Sequence, residues 1–304
     1  MNDIGLIGFG SWGKALLKII EKNAQNIIVY SRQEHRVILK EVQSIVKNYD
    51  NIIISNDLKF ICNHSDVCIL STRAQEVSNL VNEMQKESLV FSNCIVTSKG
   101  FARNGDLLCN EVQNVVQYDV GILAGPNFAS EIMQDKASIS TLAINNFHQF
   151  QKIFNGENFQ VQHSDDIIGV QVCSIMKNIY AIGCGIIFAA FKSDNIMAAF
   201  ITKAFSELMQ AIEMFGGNKL TVHTAAGIGD LILTCYSKTS RNHMFGERFV
   251  SNGMISEIET VEGYSSLIML NESLRKKLSL CNALYDLLNQ EMTISDFKHT
   301  IMCN

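Results

Sequence analysis

Lys177 and Asn178 interrupt an apolar run, Val170-Gln171-Val172-Cys173-Ser174-Ile175-Met176, that carries no other charge. An ammonium on such a helix loses hydration unless it is paired or faces a cleft. Burial or a nearby cation lowers a lysine's pKa toward the range useful for proton transfer at neutral pH. The plainer alternative is a lysine that snorkels to solvent along one helix face. Further on, Ala226-Gly227-Ile228-Gly229-Asp230-Leu231-Ile232-Leu233-Thr234-Cys235 sets glycines and an acid ahead of an apolar helix. The helix dipole alone favours an aspartate there. Next comes Ser240, a natural N-cap, with Arg241 and Asn242 in the turn behind it. An arginine fork beside free helix N–H groups makes a phosphate site; a capped surface helix is the competing reading.

A second kind of chemistry lies at the N-terminus. Residues 4–16 read Ile-Gly-Leu-Ile-Gly-Phe-Gly-Ser-Trp-Gly-Lys-Ala-Leu, with Gly8, Gly10 and Gly13 spaced G-x-G-x-x-G. A strand before and an amphipathic helix after are the context in which this spacing binds a dinucleotide. Gly8 serves the sharp turn. Gly10 lets backbone N–H groups approach a pyrophosphate, and Gly13 lets helix and strand pack closely. The anion sits at the helix N-terminus, where the dipole is positive.

These groups need elements to hold them. The first half alternates apolar strands (26–31, 52–54, 66–71, 90–97, 120–124) with helices near 33–48, 74–86 and 105–117. Continuous apolar strands between amphipathic helices predict a doubly wound parallel sheet covered on both faces. Segments 138–144 and 158–161 are candidates for added edge strands. Ligands bind beyond the carboxyl ends of such strands, so Ser71-Thr72-Arg73, Thr97-Ser98-Lys99-Gly100 and the 124–129 segment are candidates for a cleft rim. After the second strand comes Arg32, where an NAD-specific site usually has an acid. An arginine there can pair with a 2′-phosphate, which leans the cofactor toward NADPH or dual use; a solvated strand-end arginine is the alternative.

From about residue 165 strand-like runs vanish. Helical patterns cover 167–191, 198–215, 229–236, 241–250, 263–278, 282–290 and 293–302. The expected division is 1–165, a dinucleotide-binding domain, and 166–304, an all-helical substrate and catalytic domain. With 304 residues, 47% of them hydrophobic, the chain can build two sizeable cores. A net charge of −5 with no basic run excludes nucleic acid as an expected partner. Nine scattered cysteines without a Cys-x-x-Cys pair suggest neither a zinc site nor a disulfide framework, and reduced thiols point to the cytoplasm. No basic n-region precedes the first strand, so no signal peptide is expected. The longest uncharged apolar stretch, 178–191, is short of the ~20 residues that span a bilayer, so membrane insertion is not expected.

In order along nearly the whole chain, these motifs resemble the soluble bacterial NAD(P)-dependent glycerol-3-phosphate dehydrogenases. The 8–16 loop is similar to their cofactor loop. Thr97-Ser98-Lys99-Gly100, Gly125-Pro126-Asn127-Phe128-Ala129-Ser130-Glu131, Lys177-Asn178-Ile179-Tyr180-Ala181-Ile182-Gly183, the 226–242 block and Val261-Glu262-Gly263-Tyr264 match the family's other segments. The resemblance implies a Rossmann-type domain followed by a helical domain like the C-terminal one of 6-phosphogluconate dehydrogenase. It implies reversible hydride transfer between NADPH or NADH and dihydroxyacetone phosphate, giving sn-glycerol 3-phosphate for phospholipid synthesis. Lys177 is then the general acid/base. Lys99, Gly125, Asn127, Lys177, Asp230, Ser240, Arg241 and Asn242 contact the phosphorylated substrate. Gly8, Gly10, Ser11, Trp12, Gly13, Arg32, Lys99, Ala129, Arg241, Thr260 and Glu262 contact the cofactor. No metal is implied.

Several positions depart from the pattern: Asn127 stands where Ser or Thr is usual, Met197 where Arg or Lys is usual, Lys203 where Arg is usual, and Tyr264-Ser265-Ser266 lacks the basic residue that often follows Gly-Tyr. The apolar helical domain hints at a homodimer. Two other functions remain open on the residues: a related 3-hydroxy-acid or sugar-acid dehydrogenase of the same plan, and a non-catalytic NAD(P)-binding sensor.

Overall fold

The computed structural model describes residues 3–253 and 261–303. Contacts divide the chain into two units. The first runs to Ser98 and resumes over Asp106–Ile167; the second holds Lys99–Gly105 and everything from Ile168 onward.

The first unit alternates strand and helix: β1 (Asp3–Ile7), α1 (Ser11–Ile20), β2 (Asn26–Tyr30), α2 (His35–Ile45), β3 (Ile52–Ser55), α3 (Leu58–His64), β4 (Val67–Leu70), α4 (Ala74–Glu87), β5 (Cys94–Val96), α5 (Leu108–Gln113), β6 (Val120–Ala124), α6 (Ala129–Ile132), β7 (Ser138–Ala143), α7 (Phe147–Phe154) and β8 (Phe159–Ser164). The strands form one sheet in the order β3-β2-β1-β4-β5-β6-β7-β8. The chain first builds outward from β1 to β3, then returns to place β4 on the other side of β1. The switch point therefore lies between β1 and β4, where ligands of such sheets bind. Every neighbouring pair is parallel except β6 and β7. The expectation of a wholly parallel sheet is corrected there. β7 follows β6 through residues 125–137, whose only helix is the four-residue α6, and runs back antiparallel beside it. Of the two added strands, only β8 lies at the edge.

α1 shows why the opening segment folds as it does. Its face of Ala15, Leu16, Leu17 and Ile20 is fully buried in a core with Ile4, Leu6, Val29 and Leu123. Each large aliphatic side chain there contributes about 2 kcal/mol of burial. α3 was not visible in the sequence pattern. It starts on Asp57, whose carboxylate accepts from the N–H groups of Lys59 and Phe60.

Among the described residues the second unit contains helices and no strand: α8 (Ile167–Phe191, its first residue in the other unit), α9 (Asp194–Met214), α10 (Asp230–Tyr236), α11 (Arg241–Asn252), α12 (Glu262–Met269), α13 (Glu272–Arg275), α14 (Ser279–Leu288) and α15 (Ile294–Met302). The single helix expected over 263–278 is two. The chain breaks at Leu270 and Asn271, and the Asn271 side chain caps α13 by accepting from Ser273 N. α8 is buried without interruption from Gly169 to Ile187. It is long and apolar enough to cross a membrane, but 89% of its most apolar window is buried within the protein.

Two devices hold helices around α8. Tyr180 donates to Glu207 of α9 at 3.3 Å. The same carboxylate accepts from Leu280 N at 2.6 Å and Cys281 N at 3.0 Å, fastening the start of α14. Burial pushes the Glu207 carboxyl up, against the pull of those donors. On another side, small residues admit α11. A Cβ on Gly185 would stand 1.9 Å from His243 O, and one on Gly246 would stand 2.1 Å from Ile182 O.

Candidate functional site

Three charged side chains of the helical unit meet at one point. α8 brings Lys177, 5% exposed, and α10 brings Asp230, 1% exposed, with Thr234 one turn behind on the same face. Lys177 Nζ donates to Asp230 Oδ1 and, at 3.0 Å, to Thr234 Oγ1. Thr234 in turn donates to Asp230 Oδ1 at 3.2 Å. The other carboxylate oxygen, Oδ2, takes the ammonium of Lys99 at 3.2 Å, delivered by the Lys99–Gly105 segment. The ring of Phe101 anchors that segment, stacked 5.7 Å from Phe215.

Two lysines thus share one carboxylate. Burial, together with the Lys99 cation, holds Lys177 down at about 7, although Asp230 pulls the other way. Burial would lower Lys99 as well, but Asp230 outweighs it and Lys99 lies above its ordinary value. Lys177 is therefore the member of the pair that can change its protonation near neutral pH, and Lys99 is the one that stays charged. The Lys177 ammonium does not snorkel; that reading of the sequence is excluded by its partners.

Ser240, Arg241 and Asn242, where a phosphate is expected, are arranged in different ways. Ser240 caps α11, its Oγ accepting from His243 N at 3.4 Å. Arg241 projects to solvent from the first turn. Asn242 is turned inward and 7% exposed. Its amide donates to Asn178 Oδ1 at 3.0 Å, and its carbonyl oxygen accepts from Gly263 N at 3.0 Å. The Asn242 side chain thus links α11 to α8, next to Lys177, and to the start of α12. Glu262, the first residue of α12, adds negative potential at Lys99. Thr260 lies outside the described residues.

In the first unit the glycine loop follows β1. Gly8 has φ +100°, a conformation L side chains rarely adopt. A Cβ on Gly13 would stand 2.1 Å from Gly8 O. Ser71, at the end of β4, donates to Gly8 O at 2.7 Å and ties the loop to the switch point. Gly10 differs: a Cβ there would meet no protein atom within 4 Å. Packing does not demand that glycine, so its room is available to a bound group. Gly10 is also the N-cap of α1, followed by exposed Ser11. Trp12 packs on the core with its indole N–H unpartnered among the described residues. These features fit a dinucleotide pyrophosphate at the start of α1. A groove of about 230 Å³ beside the loop is lined by Gly8, Phe9, Tyr30, Arg32, Thr72 and Glu76, among others. Arg32 Nη2 pairs with Glu83 Oε2 of α4 at 2.5 Å.

Gly125, Asn127 and Ala129 follow β6. Gly125 lies against β7, where a Cβ would stand 2.7 Å from Ser140 Cα. Asn127 spends its amide on β7: it donates to Ser138 Oγ at 2.6 Å and Ile139 O at 3.0 Å and accepts from Ser140 Oγ at 2.5 Å. Its side chain fastens the loop to β7, and its backbone N–H donates to Gly125 O at 2.9 Å. Ala129 opens α6. Lys203, one of the departures, donates to Thr300 O at 3.0 Å and to Cys303 O, closing the end of α15.

Thr234, Asn178 and Glu83 had no site role from sequence. Thr234 was the findable one, since four residues from Asp230 on a helix is the same face. Glu83 and Asn178 were not, because their partners Arg32 and Asn242 are distant in sequence.

Comparisons with known proteins point one way. Residues 3–149 match the model of the NAD-dependent glycerol-3-phosphate dehydrogenase N-terminus, and 166–299 match that of the C-terminus. A curated protein of Neorickettsia sennetsu, named glycerol-3-phosphate dehydrogenase (NAD(P)+), is 30% identical over 287 residues, covering 90% of this chain and 85% of the relative. One of the same name from Orientia tsutsugamushi is 32% identical over 256 residues, covering 80% and 77%. The crystal structure of glycerol-3-phosphate dehydrogenase from Coxiella burnetii superposes with a TM-score of 0.85 at 25% identity, covering 100% of this chain and 99% of that one. The Saccharomyces cerevisiae enzyme shares the fold, with a TM-score of 0.85 at 20% identity.

Proposed function

The chain belongs to the NAD-dependent glycerol-3-phosphate dehydrogenase family, and from that membership we propose that it interconverts dihydroxyacetone phosphate and sn-glycerol 3-phosphate with NADH or NADPH. The observation that carries the chemistry is the buried Lys177–Asp230–Lys99 cluster. In the direction of reduction, a dihydronicotinamide held by the glycine loop would supply the hydride that C2 of the ketone takes up. The Lys177 ammonium gives its proton to the carbonyl oxygen as that oxygen gains charge, so the product is the neutral secondary alcohol. Lys99 stays cationic and stabilises the developing oxyanion. Asp230 holds both amines in place, and Thr234 fixes the Lys177 rotamer through a third hydrogen bond. In the oxidative direction neutral Lys177 takes the hydroxyl proton.

Arg241 and the capped start of α11 bind the substrate phosphate; Ser240 and Asn242 shape that turn. Gly125 and Asn127 also contact the substrate. Gly8, Gly10, Ser11, Trp12, Gly13, Arg32, Ala129, Thr260 and Glu262 form the cofactor contacts, with Lys99 and Arg241 shared. Residues 1–165 then serve as the dinucleotide-binding domain and 166–304 as the helical domain. The nine cysteines, all free thiols and eight of them buried, fit a reducing cytoplasm. The test is oxidation of NADH or NADPH, followed by absorbance, on adding dihydroxyacetone phosphate. Turnover that vanishes with unphosphorylated dihydroxyacetone supports the reading. No turnover with either cofactor, from folded protein, removes it.

A further inference from the structure

The groove beside the glycine loop bears on which dinucleotide is preferred. The residue after β2 is where such folds read the adenosine ribose: an acid there accepts from a 2′-OH, and an arginine clasps a 2′-phosphate. Arg32 holds that place, but one arm of its fork is already engaged. Its Nη2 lies 2.5 Å from Glu83, with the Tyr30 hydroxyl beside it. Glu76, which lines the groove, stands two helical turns before Glu83 on α4 and so shares its face. The cation nearest Glu76 is Arg73, 4.0 Å away and 81% exposed. Two α4 carboxylates thus stand beside the groove, Glu83 on the guanidinium of Arg32 that follows β2 and Glu76 with the exposed Arg73 at its longer distance.

We infer that Glu83, supported by Glu76, sets the cofactor preference toward NADH. The inference rests on the dinucleotide reading of the loop. A 2′-phosphate carries about −1.5 to −2 charges at neutral pH. To reach Arg32 it must displace Glu83 and leave that carboxylate unpaired beside new negative charge. A 2′-hydroxyl is neutral and can donate to a carboxylate instead. The Arg32–Glu83 pair is open to solvent, with side chains 61% and 36% exposed, so screening limits the effect to a preference.

Titration of the protein with NADH and with NADPH, followed by nicotinamide fluorescence and without substrate, tests this. NADH should bind about 10-fold more tightly at low ionic strength. Glu83→Gln should tighten NADPH about 5- to 10-fold and leave NADH within about 2-fold. Glu83→Asp, which keeps the charge, should keep the preference. Tighter binding of NADPH by the parent, or a Gln variant that moves both cofactors equally, overturns the inference and leaves the dehydrogenase reading standing. Binding of neither cofactor by protein with an intact helical circular dichroism spectrum removes both.

Discussion

Lys177 and Asp230 meet head to head inside the helical unit, 53 residues apart in sequence and both almost fully buried. Neither would be retained there for stability alone, since a buried ion pair roughly cancels its own desolvation. The arrangement makes sense as a held proton donor. Lys177→Ala should therefore lower kcat for ketone reduction by about 1,000-fold, the usual worth of a positioned acid. NADH affinity should stay within about 2-fold, as fluorescence titration would report. Unchanged turnover would remove Lys177 from the mechanism.

The pH profile follows from the same pair. Lys177 is held at about 7, so its acid form disappears as pH rises through that value. Reduction should fall above about pH 7, and oxidation of the alcohol should rise through the same inflection. Lys99 pushes Lys177 down and Asp230 pulls it up. Lys99→Met should move the inflection to higher pH, and Asp230→Asn should move it to lower pH. Initial rates across pH 5–10, at saturating substrate for each variant, check the signs. A shared direction for both variants would refute this electrostatic account.

The two glycines of the loop should separate packing from ligand binding. Gly13→Ala forces a Cβ to 2.1 Å from Gly8 O, so it should cost about 3 kcal/mol and lower cofactor affinity as well. Gly10→Ala has open space around it and an ordinary φ of −77°. Its stability should match the parent within about 0.5 kcal/mol, while NADH affinity drops at least about 10-fold because the methyl enters the pyrophosphate's space. Urea unfolding and fluorescence titration of both variants give the four values.

Glu207 is a structural counterpart. Glu207→Ala removes the acceptor for the N–H groups of Leu280 and Cys281 in a buried place. Each unsatisfied donor costs about 1–3 kcal/mol, so a loss of about 3 kcal/mol is expected by urea denaturation. Glu207→Gln preserves one acceptor oxygen and should recover about half of it.

Much of this was legible in the chain because local chemistry wrote it there. The glycine spacing, the apolar strands and the Ser240 cap each act over a few residues, and the elements they imply are present. The long helix at Ile167–Phe191 was visible because one unbroken apolar run spans it. Lys177 and Asp230 could be singled out by type, but their pairing could not, because it depends on how α8 and α10 pack. Arg32 shows the limit most clearly. Its position after β2 invited a phosphate, while its partner sits on α4 and is set by the sheet order. Asn127 shows the same limit, since Ser138 and Ser140 claim its amide only once β7 runs antiparallel beside β6. The antiparallel turn itself left no mark in the strand composition.

The short excursion at Lys99–Gly105 has a consequence for anyone rearranging this gene. The main chain passes from one body to the other three times, so a single cut near residue 166 does not yield two autonomous halves. A helical fragment excised there would leave behind the cation on Asp230 and the aromatic plug against Phe215. A chimera that exchanged only the N-terminal half would import a foreign version of both. Grafts of new cofactor specificity onto this catalyst should carry the seven-residue insert with the recipient, not with the donor.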